Sequence, residues 1–195
     1  MPKISAPSIH EHRELRRQQL INAALELAVD GGAGAITVAA VAKKAGLARS
    51  SIYEYFASSA DLIADLILEE LDYYSKRLTH AIVDVNDPFE KIEHWIAEGL
   101  RYVGDGRHML VKSLNTINTP ATRKEEISLG HRKLIAPLRQ ALAETGIKDP
   151  AAAAAFLSSV TDAASIRIDA GNDAELEIQS AITFALAGLR ALARN

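Results

Sequence analysis

The sequence has no cysteine, which excludes disulfides, thiolate zinc sites and a cysteine nucleophile outright. Aromatic residues make up only 5% of it, which argues against a large aromatic-lined pocket. No uninterrupted apolar run reaches the roughly 18 residues of a membrane span. The opening stretch, MPKISAPSIHEHRELRRQQ, lacks the apolar segment of a secretory signal. There is no glycine-rich phosphate loop and no His-Glu-x-x-His pair. Apart from His10 and His12 the histidines are scattered, and no two carboxylates stand out as an acid and a base. No metal site, no resident cofactor and no enzyme is expected. A soluble, cytoplasmic protein is.

What remains is an ordinary globular composition: 195 residues, 48% hydrophobic and 24% charged, enough for one domain or two small ones. There are 34 alanines and no sustained period-2 alternation, so the fold class is all-α. The net charge of -3 is unevenly placed. Residues 1–60 carry seven Lys/Arg against five Asp/Glu, net +2, and residues 61–195 carry fifteen against twenty, net -5. A mildly basic head on an acidic body hints that the head meets an anionic partner.

Turn and cap chemistry divides the chain into about nine helices. Residues 1–10, with two prolines and no periodicity, read as a flexible arm. A helix from Glu11 to Asp30 places Ile21, Ala24, Leu25 and Ala28 on one face, and Gly31, Gly32 and Gly34 stop it through left-handed conformations. Thr37 is placed to cap the next helix, which carries Val38, Val41, Ala42 and Ala45. Gly46 interrupts, and a short helix follows over Arg49–Tyr55. Ser58 or Ser59 caps a long helix to Asp84, striped by Ile63, Ile67, Leu71, Tyr74, Leu78 and Ile82. Further helices are expected over Asp87–Val103, Arg107–Asn118, Pro120–Thr145 with Pro137 kinking or splitting it, Asp149–Ala170 and Ala174–Arg194.

The most informative stretch is TVAAVAKKAGLARSSIYEYF, Thr37 to Phe56. A two-turn helix, a glycine turn and a second short helix form the compact unit that sets a helix in the DNA major groove. Ala48, Arg49, Ser50 and Ser51 open the second helix. Arg49 can fork onto guanine O6 and N7, and the hydroxyls can reach base edges or phosphates. Tyr53 and Tyr55 offer phenolic donors to the phosphate backbone. Of Tyr53 and Phe56, at core spacing, Phe56 is expected inside. Lys44, Arg16 and Arg17 have two readings, a solvated helix face or phosphate contact; for Lys43 the first is preferred.

This combination of Thr37, Val41-Ala42, Ala45-Gly46-Leu47, Ile52-Tyr53, Tyr55-Phe56 and Leu62 resembles the tetracycline-repressor (TetR) family of bacterial transcription regulators, over about residues 11–70. The resemblance implies a helix-turn-helix DNA-binding domain at 11–58 and a ligand-binding and dimerisation domain at 59–195. It also implies a homodimer on double-stranded operator DNA, responsive to a small-molecule effector, with repression as the default. Thr37, Tyr53 and Tyr55 would touch backbone, and Arg49, Ser50 and Ser51 would read bases. Ser59 stands where many members have a lysine, leaving backbone amides for phosphate. Ala39 stands where some carry a long base reader, and Glu54 would repel phosphate. Those three departures favour the alternative, a DNA-independent helical ligand-binding or interaction dimer with a vestigial helix-turn-helix.

Beyond residue 70 only residue chemistry remains. Ile178, Ile182, Ala185, Leu186 and Leu189 form a seam on the last helix, with Phe156 and Val160 on the one before. The seam serves either a four-helix dimer interface or the protomer's own core, and the resemblance favours the dimer. For an effector cavity the candidates are Tyr74, Trp95, Tyr102, Met109, Asn115, Phe156 and Arg167, each of which is alternatively a core or surface residue.

Overall fold

The computed structural model describes residues 9–31, 33–105, 108 and 121–194. Among them are eight α-helices, one 3₁₀ turn and no strand. The helices are α1 (Ile9–Gly31), α2 (Val38–Lys44), α3 (Arg49–Ile52), α4 (Ser59–Ile82), α5 (Pro88–Gly104), α6 (Ala121–Glu144), α7 (Pro150–Asp169) and α8 (Ala174–Ala193). The expected helix over Arg107–Asn118 lies outside the described residues, as does nearly all of the N-terminal arm. By contacts the chain divides into two units. One comprises the described residues of Met1–Glu69 and Leu110–Ile127, the other those of Glu70–Met109 and Ser128–Asn195.

The first unit is built around α1 and the first half of α4. Leu20, Ile21, Ala24 and Ala28 of α1 are buried, with Leu62, Ile63, Leu66 and Ile67 of α4, Val38 and Val41 of α2, Ile52 of α3, and Phe56. Neither Gly31 nor Gly34 adopts the left-handed conformation expected of them. Gly31 is instead a point of close approach, since a Cβ there would lie 2.9 Å from the Ala35 Cβ. Gly46 does carry φ +69°, a conformation that side-chain-bearing residues rarely adopt, with no neighbour crowding it. The turn therefore needs glycine for its backbone rather than for space.

In the second unit Asp87, Asp149 and Asp173 cap α5, α7 and α8. Their carboxylates accept from the backbone N–H of Glu90, Ala152 and Leu176 at 2.9, 3.0 and 3.0 Å. The core brings together Ile92, Ile96 and Leu100 of α5, Leu138 and Leu142 of α6, Leu157 of α7 and Ile178, Ile182, Leu186 and Leu189 of α8. Of the kink or split expected at Pro137, the split does not occur: α6 runs through it as one helix. The carbonyl deprived of its partner belongs to exposed Lys133, where water can donate to it. By length and composition α8, with mean hydropathy 1.3, would suit a membrane span, but a third of that window is buried in the protein.

Candidate nucleic-acid interface

Local hydrogen bonds fix the geometry of the α2–α3 unit. The Thr37 hydroxyl accepts from the Ala40 N–H at 3.1 Å and starts α2. The Leu47 N–H donates to the Ala42 carbonyl at 2.9 Å across the glycine turn. α3 itself is only one turn long, shorter than the expected Arg49–Tyr55. It then tightens, with Tyr53, Glu54 and Tyr55 each donating to the residue three earlier, at 3.2, 3.3 and 2.9 Å. Ile52 and Phe56 are the anchors beneath it, 0% and 3% exposed. Anchors four residues apart under a short helix leave the other faces free. Thr37, Ala48, Arg49, Ser50 and Tyr53 are exposed, and Ser51, Tyr55 and Ser59 are half-buried.

Among the described residues no ion pair engages Arg49. Lys44 differs: its ammonium lies 2.8 Å from the Glu26 carboxylate and 3.8 Å from that of Asp30, and the hydrogen bond to Glu26 raises its pKa. Arg17 is likewise engaged, donating to Asp65 at 2.6 Å beside the Phe56 ring. Ser58, rather than Ser59, caps α4, its hydroxyl accepting from the Asp61 N–H at 3.1 Å. Arg13 donates to the Glu54 main-chain oxygen at 3.1 Å. With His12, Arg16 and Tyr55 these two residues line an open groove of about 410 Å³ beside the end of α3. Tyr55, Arg13 and Arg16 thus form a polar, hydrogen-bonding margin to the α3 face.

Of the described residues considered for an effector cavity, Tyr74 and Tyr102 come together. Tyr74 and Tyr102 stack with ring centroids 4.1 Å apart, and the Tyr102 hydroxyl donates to buried Glu70 at 3.3 Å. Burial, with the Glu98 carboxylate nearby, pushes the Tyr74 phenol up to about 12. Trp95 packs against the second core with its indole N–H buried and unpaired. Arg167 is on the surface, held by Glu177 through two bonds of 2.7 Å that lower the Glu177 pKa. Met109 and Asn115 lie outside the described residues.

The α8 seam lies inside the protomer. Ile178, Ile182, Ala185, Leu186 and Leu189 are all buried there, so the seam is core. Helix α8 also presents a second apolar face that the sequence reading missed. Phe184 is 72% exposed, Phe156 on α7 is 66% exposed, and together with Val160, Gly188 and Leu192 they line an open groove of about 450 Å³. Phe184 could have been noticed, because it is a large aromatic residue lying between seam positions Ile182 and Leu186. Asp65, a charge within the apolar run Leu62–Ile67, was a similar unread signal.

Residues 20–66 match the family described as bacterial regulatory proteins, tetR family. Over 97 residues the chain is 34% identical to the HTH-type transcriptional regulator BetI of Brucella canis, covering 50% of this chain and 46% of BetI. The chain spans between 35% and 46% of the length of the curated relatives it matches. Among solved structures, FadR of Bacillus subtilis in complex with stearoyl-CoA shares the fold with a TM-score of 0.71 at 22% identity, over 88% of this chain and 98% of that one. The superantigen PfiT does so with 0.75 at 19%, over 87% and 96%. Such low identities speak for the fold alone. The helix-turn-helix, the matched head and the all-helical architecture agree: over residues 20–66 the chain is similar to the tetR family of bacterial regulatory proteins.

Proposed function

We propose that the chain is a transcriptional repressor that binds a pseudo-palindromic operator as a homodimer and responds to a small-molecule effector in the cytoplasm. The observation that carries this reading is the exposed face of α3: Arg49 unpaired among the described residues, flanked by small and hydroxyl-bearing side chains, on two buried anchors. Arg49 is assigned to a guanine, Ala48, Ser50 and Ser51 to neighbouring base edges, and Thr37, Tyr53, Tyr55 and Ser59 to phosphates. Lys44, paired with Glu26, is the weakest member of that set.

The homodimer is supported by the Phe156/Phe184 groove, an aromatic face costly to leave in water. Val160, Ala185 and Leu189 would contribute from its floor. An effector is supported by the stearoyl-CoA complex of the similar B. subtilis protein. Tyr74, Trp95, Tyr102, Met109, Asn115 and Arg167 remain its proposed contacts, with Tyr74 and Tyr102 the pair already adjacent. An effector acts only through its different affinities for two states, typically worth about 1–3 kcal/mol of coupling.

Selection of bound duplexes from a random library at near-physiological salt tests this reading. A palindromic consensus bound far more tightly than random DNA is expected. No enrichment by a folded dimer would overturn it and leave the DNA-independent binding protein, a reading kept alive by the superantigen that shares the fold.

A further inference from the structure

Asp65 is a carboxylate set among Leu62, Ile63, Ala64, Leu66 and Ile67, all at most 2% exposed, and is itself 7% exposed. Such a group survives in an apolar stretch only if its charge is answered. Two guanidinium groups answer it, one from 48 residues before it and one from 58 residues after it. Arg17 of α1 donates to one oxygen at 2.6 Å, and Arg123 of α6 donates to the other. Glu126 accepts from the Arg123 Nε at 3.0 Å, so the four groups balance as two cations and two anions. Arg17 also lies 5.8 Å from the centroid of the Phe56 ring, and the Phe56 N–H donates to Ile52, the last residue of α3, at 3.0 Å. An unbroken series of contacts therefore runs from the first turn of α6 through Asp65 and Arg17 to the anchors of α3. All of them lie within the first unit. The same helix α6 supplies Leu138 and Leu142 to the core of the second.

We infer that Arg123 is a positioning residue for DNA binding: through Asp65 and Arg17 it makes the first turn of α6 part of the base that holds the recognition helix. This rests on the DNA-binding reading and names a control point for it. Arg123 touches no DNA, so its loss changes affinity without changing which bases are preferred. Removing it leaves Asp65 still paired with Arg17, whereas removing Asp65 leaves two cations facing each other. The two substitutions are therefore not equivalent.

The test uses the full chain and a duplex selected by the wild-type protein. Arg123→Ala is expected to weaken binding about tenfold, within the usual range of coupling between sites. The dependence of affinity on salt should stay as in the wild type, since no phosphate contact is lost. Amide exchange at Ile52–Phe56 should quicken while that of the α5 and α8 core stays unchanged. Arg123→Lys, which keeps the charge, should recover most of the affinity. If Arg123→Ala does not fold, Arg123→Gln carries the same expectations. Unchanged exchange at Ile52–Phe56, or unchanged affinity, overturns the inference. A shallower salt slope overturns it too, by making Arg123 a phosphate contact. Arg49→Ala on the same duplex separates the two failures: if it also has no effect, the base-reading assignment falls instead.

Discussion

The two units differ in where they leave aromatic rings without a polar atom: the first buries Phe56, the second exposes Phe156 and Phe184. In the first, Phe56, Ile52 and Leu62 are inside, and the surface around α3 carries hydroxyls, alanine, the Tyr53 phenol, the Glu54 carboxylate and a free guanidinium. In the second, a complete core coexists with Phe156 and Phe184 left mostly in water. A surface that hydrogen-bonds at many angles suits a polyanion with patterned base edges. An apolar face beside a finished core suits another apolar face. The contrast supports the proposed assignment of DNA to the α3 face and of a second copy to the α7–α8 face more than the charge difference between the halves does.

Substitutions can break either side of this contrast. The largest effect is expected from Ile52→Ala, which empties the anchor under α3. It should cost about 2–5 kcal/mol by denaturant unfolding of the first unit. Phe184→Arg should leave the protomer folded, because the ring is exposed, yet weaken self-association by about 2 kcal/mol or more in sedimentation measurements. A chain equally dimeric after this change would detach the apolar groove from dimerisation. Arg49→Ala should cost about 1–3 kcal/mol of operator affinity and relax the choice at one base position. Thr37→Ala removes the α2 cap and should lower the stability of the first unit by about 1 kcal/mol in thermal unfolding.

The smallest effect at neutral pH belongs to Tyr74. Its native pKa, near 12, exceeds the ordinary phenol value of 10.0, so the folded state holds this proton more tightly than the unfolded one. Stability from this group is complete below pH 10 and is lost as pH rises towards 12. Ultraviolet titration should show a tyrosine ionising near pH 12 in the wild type and lacking in Tyr74→Phe. Ionisation of all tyrosines near pH 10 in the folded chain would contradict its burial.

The head was legible because its signals are local. Thr37, Gly46, the Ser58-Ser59 pair and Phe56 each act through neighbours a few residues away, so cap, turn and one anchor could be read from the string. Even there, the tightening after Ile52 was missed, since the string does not distinguish bonds to the third residue back from bonds to the fourth. In the body, Asp87, Asp149 and Asp173 marked the helix starts equally well. Which face turned inward was not legible. On alanine-rich α7 and α8 several faces are apolar, and only packing decides that Ile182 goes in while Phe184 stays out. The pairing of Arg17 and Arg123 with Asp65 joins residues up to 58 positions apart, and no spacing rule reveals it.

The most direct test is the number of chains bound to a selected duplex, measured by sedimentation against a duplex carrying one half-site. Two chains on the full site, half-sites centred about one helical turn apart and much weaker binding to the single half-site are expected if α3 reads DNA and the α7–α8 face joins two copies. One chain on each half-site, bound as tightly alone as together, would contradict it.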